Sequence, residues 1–271
     1  MSNLSPGGRR CAFCDSGEKL TREHVIPQWL AEVLHDMEPG DPNPDWRSDY
    51  WAGGMVERDR QHPISRPTVV VRHVCEACNT GWMGDLEARA KPLIEPMVRG
   101  QRTTLKPADQ VEVATWASKT VLALEYHEPD TVVARPEDRR LVMEELRPPS
   151  HHRVRLAYRD AVGESLIAKM LVARSLDAED ERPDAFAVLF GIGFLVVQVW
   201  GGHGADTGPG LAVTGTKIDR AVTIWPPVPT AVEWPPYVAI PEEEFDELAR
   251  EVIPWADDSP DMAEWRRRRE G

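Results

Sequence analysis

Hydrophobic residues recur along this chain with two periods, and each period predicts one type of secondary structure. Where apolar residues return every three or four positions, we expect helices; where β-branched residues alternate or run together, we expect strands. The predicted helices cover residues 28–34, 79–97, 108–126, 136–146 and 242–252. The predicted strands cover residues 21–26, 68–74, 153–159, 165–175, 185–190, 194–200 and 220–225. This mixture, with most strands grouped in the second half, predicts an α+β protein.

The segments between these elements indicate two domains. Residues 35–67 are rich in Pro, Gly, Asp and Trp, which predicts a long loop or insertion. The stretch 100–106 is the best boundary, so we expect an N-terminal module at 1–104 and an α+β domain at 105–271. In the second domain we expect an antiparallel meander sheet with flanking helices, including a tight turn at 191–193.

The net charge of the chain is −13, and most of the acidic excess lies in the second part. Residues 1–104 carry 13 basic and 15 acidic side chains, whereas the remainder carries 19 and 30. This balance excludes a broadly basic protein that wraps nucleic acid through long-range attraction. Any phosphate contact therefore has to come from local arginines or from a metal ion.

The apolar segments predict neither secretion nor a membrane partner. The longest one, residues 185–200, is too short for a confident span and contains two glycines and a glutamine. The first ten residues contain no apolar signal core. We therefore expect a cytoplasmic protein, in which thiols stay reduced and bind metal more readily than they form disulfides.

The only four cysteines form two short pairs, Cys11-x-x-Cys14 and Cys75-x-x-Cys78. A two-residue spacer allows both thiolates of a pair to bind one ion, and four thiolates suit a tetrahedral zinc. The sequence therefore predicts one structural Zn²⁺ held by all four cysteines. Two disulfides are the alternative.

Polar residues follow each cysteine pair: Glu23 and His24 come after the first pair, and Asn79 comes directly after the second. A histidine titrates near neutral pH and suits a general base, whereas carboxylate and amide oxygens suit Mg²⁺ or Mn²⁺. Neighbours on a strand point in opposite directions, so Glu23 and His24 can share a substrate only at a bulge or at the strand end. The simpler alternatives are a structural role for His24 and helix capping by Asn79.

The segments Cys11-Ala-Phe-Cys14, Glu23-His24-Val25-Ile26-Pro27 and Cys75-Glu-Ala-Cys78-Asn79 resemble the HNH endonuclease family, the zinc-stapled form of the ββα-metal fold. The resemblance covers the first domain and not the second. It implies an endonuclease that hydrolyses DNA phosphodiester bonds. It also implies that His24 activates water while Glu23 and Asn79 hold a catalytic Mg²⁺ or Mn²⁺. The chain departs from the family in three respects. The middle Asn of the motif has no match in residues 69–74, the helix lacks the basic residue that often follows the motif, and the gap from Cys14 to Cys75 is longer than in compact members.

Three functions remain open from the sequence. The first is the endonuclease that the resemblance implies, with nucleic acid as its partner. The second is a non-catalytic zinc module that binds nucleic acid or a protein. The third is a metal-assisted hydrolase of small phosphorylated or nucleotide substrates. Residues 105–271 could also recognise a target, form a homodimer or bind a protein partner.

Overall fold

The computed structural model describes residues 10–37, 45–52, 55–63, 69–127, 132–160, 166–173, 184–203 and 220–245. Within 45–52, 55–63 and 166–173 the description is limited to the backbone. The last predicted helix, at 242–252, is helical at 242–245, and its remainder lies outside the described residues.

Helices and strands are mixed along the chain, as the hydrophobic pattern predicts. The helices are α1 Gln28–Met37, α2 Glu76–Cys78, α3 Gly84–Val98, α4 Pro107–Leu124 and α5 Pro136–Glu145. The first strands are β1 Leu20–His24, β2 Asp45–Ala52, β3 Met55–Pro63, β4 Val70–Cys75 and β5 Thr103–Leu105. The others are β6 Arg153–Tyr158, β7 Leu166–Ala173, β8 Ala185–Ile192, β9 Leu195–Gly202, β10 Val222–Trp225 and β11 Val232–Trp234. The α+β class is therefore confirmed.

The largest sheet has seven strands in the order β10-β6-β9-β8-β7-β2-β3. Strands β7, β8 and β9 follow one another as an antiparallel meander, with a turn at Gly193 (φ +54°). β2 instead runs parallel to β7, and β3 pairs with β2. The large sheet therefore contains strands from both segments that the sequence divides at 100–106.

The hairpin of β2 and β3 corrects the prediction of a long loop at 35–67, whereas the alternative that this segment is an insertion stays a prediction. The physical reason is that β3 lies at an edge of the sheet, and its sequence is rich in charged residues. Edge strands are commonly charged because charge discourages pairing with other molecules. Such strands lack the apolar alternation that reveals a strand in a sequence.

Both faces of the large sheet are covered at β8 and β9, where every residue is buried. Helix α4 packs against β6, β9 and β10. Phe245 and Ile240 form a separate apolar cluster with residues of β6, β8 and β9. This two-sided cover explains the continuous apolar run at 185–200, which is a buried hairpin. Among the described residues, no helix has the length and apolarity that a membrane span requires.

A small two-stranded sheet, β1 with β4, carries three of the predicted site residues, Glu23, His24 and Cys75. The two strands are antiparallel, and their register shifts between Thr21 and Glu23. After β4 the chain turns through α2 and an irregular helical turn at Asn79–Met83, where Gly81 has non-helical angles (φ −88°, ψ −113°). Helix α3 then packs along α4, so α4 lies between the large sheet and the elements that bear the site.

Candidate functional site

The four cysteines converge, as their spacing predicts. Their Sγ atoms all lie within 4.8 Å of one another, and Cys14 Sγ lies 3.6 Å from Cys75 Sγ. Sulfur ligands of one tetrahedral zinc are separated by about 3.8 Å, given zinc–sulfur bonds of about 2.3 Å. All four cysteines are free thiols. The donor set and its spacing therefore fit a zinc site with four cysteine ligands.

Backbone contacts bring the two cysteine pairs together. The amide of Ala12 donates to the carbonyl of His73 at 2.8 Å, which fixes the first pair beside β4. The amide of Cys75 donates to Cys11 Sγ at 3.4 Å. An amide that points at sulfur stabilises negative charge there, so this contact favours the thiolate form that binds metal.

A small apolar cluster encloses the thiols and is separate from the main core. Phe13 and Trp82 pack against each other with ring centroids 5.4 Å apart, and Met83 of the same cluster is completely buried. From α5, the Met143 sulfur lies 4.0 Å from Cys78 Sγ. Because this cluster is small, a metal bound by the thiols would supply much of the stability of this region.

The thiols differ in how readily they ionise. Burial raises the pKa of Cys11 and of Cys78. Burial also acts to raise the pKa of Cys14, but hydrogen bonds from the Ser16 side chain and backbone outweigh it and lower that pKa to about 7. All four thiols can be ionised together only when a bound cation balances their negative charge.

Glu23 is buried in an ionic cluster that the sequence did not reveal. Its side chain is 4% exposed, and Oε1 accepts a hydrogen bond from Lys119 Nζ at 3.2 Å. Lys119, on α4, is fully buried and also donates to Glu87 Oε1 at 2.8 Å. Burial raises the pKa of Glu23, and Glu87 adds to that effect while Lys119 opposes it. Burial acts to lower the pKa of Lys119, but the two carboxylates raise it overall. One ammonium group is therefore paired with two carboxylates.

His24 has different surroundings from its neighbour Glu23. It is the last residue of β1, is partly exposed, and its Nε2 lies 3.3 Å from Gln28 Nε2 at the start of α1. The register shift in β1 precedes this pair, and His24 stands at the strand end. Of the two conditions expected for a shared site, the strand end is therefore present, whereas Glu23 and His24 themselves pair regularly with Val71 and Val70 and the Glu23 carboxylate is directed to Lys119.

Asn79 connects the second cysteine pair to β1. Its Nδ2 donates to Thr21 Oγ1 at 3.0 Å and to the carbonyl of Arg22 at 3.3 Å. The side chain thus contacts a strand rather than capping a helix. Asn79 is held beside the same strand that ends in Glu23 and His24.

Neither Lys119 nor Glu87 was singled out from the sequence. Lys119 lies within the apolar stripe of the predicted helix at 108–126, and a lysine in that position is the one signal that points to a buried ionic partner. Glu87 lies on the predicted helix at 79–97, where acidic residues are ordinary on a solvated face. Lys119 is distant in sequence from both of the acidic residues that it binds, Glu23 and Glu87.

No protein-family model, curated protein or solved structure matches this chain. The function is therefore inferred from the residues and their geometry.

Proposed function

We propose that the chain is a metal-dependent HNH-type endonuclease that hydrolyses DNA phosphodiester bonds. One arrangement carries the proposal. The antiparallel strands β1 and β4 are followed by a helical segment, and the four-cysteine cluster connects this segment to the strands. Asn79 is bonded to β1, the strand that ends in His24. This arrangement matches what the resemblance to the ββα-metal fold implies for the order of elements and residues.

In the proposed reaction His24 is the general base. It takes a proton from water, and the water oxygen forms a bond to phosphorus in line with the departing 3′-oxygen. The P–O3′ bond breaks, and the 3′-oxygen gains a proton from solvent. The products are a 5′-phosphate and a 3′-hydroxyl. The partial exposure of His24 gives water and substrate access to its ring.

Glu23 and Asn79 are the proposed holders of Mg²⁺ or Mn²⁺, which neutralises charge on the phosphate. Asn79 suits this role because Nδ2 is bonded to β1, and Oδ1 is the amide atom that binds a hard cation. Glu23 Oε1 is bonded to Lys119, so the proposal assigns Oε2 to the metal.

A non-catalytic zinc module is the second candidate, and the buried Glu23–Lys119–Glu87 cluster favours it. A carboxylate that is buried and paired with an ammonium is a poor ligand for a hydrated divalent cation, because the two cations repel each other. The absence of the middle Asn of the motif points in the same direction. In this case the four-cysteine cluster and the ionic cluster would support a surface that binds nucleic acid or a protein.

A plasmid-nicking assay in Mg²⁺ or Mn²⁺ tests the endonuclease. We expect His24→Ala to lower the nicking rate by at least about a hundredfold, the typical contribution of a general base. His35→Ala is the matched control, because His35 is an exposed histidine on α1 outside the site. Equal nicking by wild type and His24→Ala would exclude the proposed chemistry.

Mn²⁺ calorimetry on the zinc-loaded protein separates the two candidates. The endonuclease requires a Mn²⁺ site that Asn79→Ala and Glu23→Gln weaken, with circular dichroism to verify that each variant is folded. The non-catalytic module predicts no such site. The titrations should be repeated with His203→Ala, because His203 converges with Asp138 and His151 in another group of potential metal ligands.

A further inference from the structure

A second group of potential metal ligands lies far from the cysteines in sequence: Asp138 on α5, His151 before β6, and His203 directly after β9. Their ligand atoms all lie within 4.8 Å of one another. Among the described residues, this group and the four cysteines are the two sets of three or more histidine, cysteine or acidic side chains that converge in this way. Nothing in the proposed nuclease chemistry uses it.

Both imidazoles direct Nε2 at the same carboxylate. His203 Nε2 lies 2.6 Å from Asp138 Oδ2, and His151 Nε2 lies 3.8 Å from Asp138 Oδ1. The two rings are close, with centroids 4.4 Å apart. A hydrogen bond explains the first contact, but 3.8 Å is too long for the second. One ion bound by all three groups explains why both nitrogens face Asp138.

The distances suit such an ion. Zinc binds imidazole and carboxylate at about 2.0–2.2 Å, so two ligands of one ion lie about 3 to 3.5 Å apart. The observed 2.6 and 3.8 Å fall on either side of this range, and side-chain shifts of less than about 1 Å would satisfy it. Three protein ligands leave positions open for water or another molecule.

The surrounding structure holds the ligands in place. Asp138 Oδ2 also accepts the backbone amide of Arg135 at 2.9 Å, which fixes the carboxylate at the start of α5. The backbone amide of His203 donates to the carbonyl of Asp184 at 2.7 Å. A Cβ atom at Gly201 would lie 2.8 Å from the ring of His152, which packs against His151 with ring centroids 4.9 Å apart, so the glycine leaves room for the residue that supports this ligand.

The cluster is open to solvent on one side. The exposed fractions of the Asp138, His151 and His203 side chains are 10%, 23% and 18%. An ion can therefore enter while the ligands stay largely shielded from water, which strengthens their hold on it.

We propose that Asp138, His151 and His203 form a second metal site that binds a divalent first-row transition ion, zinc in the resting protein. Two imidazoles and one carboxylate suit borderline ions such as Zn²⁺, Co²⁺ and Fe²⁺ better than Mg²⁺. The site is distinct in chemistry from the thiol cluster, and it does not depend on the endonuclease proposal.

Metal analysis of the full chain after dialysis against metal-free buffer provides the first test. We expect two equivalents of zinc in the wild type and in His35→Ala, and one equivalent in His203→Ala and His151→Ala. Asp138→Asn is a second route to the same result, because Asn keeps an oxygen that can accept the Arg135 amide. One equivalent in the wild type, unchanged in all three variants, would overturn the site and leave a simple histidine–aspartate contact.

Cobalt spectroscopy identifies the ligands. Co²⁺ added to protein that holds a single equivalent of zinc, bound by the thiols, should give d–d absorption without a thiolate charge-transfer band. His203→Ala should weaken that binding by more than about tenfold, as expected when a ligand is lost. A thiolate band alone, identical in wild type and His203→Ala, would contradict the proposal.

Discussion

Potential metal ligands from distant parts of the chain converge in two regions, one around the four thiols and one around Asp138, His151 and His203. The structure that surrounds the ligands differs between the two regions. The thiols are enclosed by a small cluster, in which Phe13 and Met83 are among the few large apolar side chains. The histidine cluster borders the large sheet, whose strands β8 and β9 are buried throughout. The comparison leads us to expect that a metal stabilises the fold of the first region and is only bound by the second.

Removal of zinc from the thiols should have the largest effect. Binding free energies at structural zinc sites are on the order of 10 kcal/mol, so Cys75→Ser should lower the free energy of unfolding by several kcal/mol. Protease digestion should then cleave within residues 10–37 before the rest of the chain. Chelation that leaves this segment as resistant as in the untreated protein would contradict the expected dependence.

Loss of Lys119 should have the next largest effect, because this residue of α4 bonds both Glu23 on β1 and Glu87 on α3. Lys119→Met leaves Glu23 and Glu87 without their cation and should cost about 3 kcal/mol or more in chemical denaturation. Arg89→Ala is the matched control, since its exposed ion pair with Glu112 is worth at most about 1 kcal/mol. The double variant Glu23→Gln with Lys119→Met should recover part of the loss. Equal costs for Lys119→Met and Arg89→Ala would show that the ionic cluster is not important for stability.

Acid should weaken zinc binding at the thiols. Burial raises the pKa of Cys11 and Cys78, so these thiols are protonated in the metal-free chain at neutral pH and release protons when zinc binds. Each released proton makes binding less favourable by about 1.4 kcal/mol for every pH unit of acidification. Competition with a chromophoric chelator across the pH range measures this dependence. A pH-independent affinity would mean that the thiols are already ionised before zinc binds.

The smallest effect on stability is expected at the histidine cluster. His203→Ala should change the free energy of unfolding in metal-free buffer by about 1 kcal/mol or less, since its side chain is partly exposed and the sheet supports it. Added zinc should stabilise the wild type more than this variant. A large loss in metal-free buffer would instead assign the histidine a packing role.

The sequence predicted those features that depend on residues close together in the chain. Each C-x-x-C pair places two ligands together locally, and the apolar periods predicted the main helices and the meander correctly. Distant contacts had no such signal. Lys119 and Glu23 are 96 positions apart, and Asp138 is separated from His203 by 65 positions. The hairpin of β2 and β3 was missed because β3, at the edge of the sheet, carries charged residues in place of an apolar alternation.

The regular alternation of β1 at Glu23 and His24, which pair with Val71 and Val70, decides which of two neighbouring side chains faces α4. Side chains of a strand alternate between its two faces, so a shift by one position moves every buried side chain to the exposed face and every exposed one to the buried face. A deletion of Arg22 would therefore direct an imidazole at the ammonium of Lys119 and turn a carboxylate outward. The spacing upstream of this pair is accordingly as important for the site as the identity of its residues.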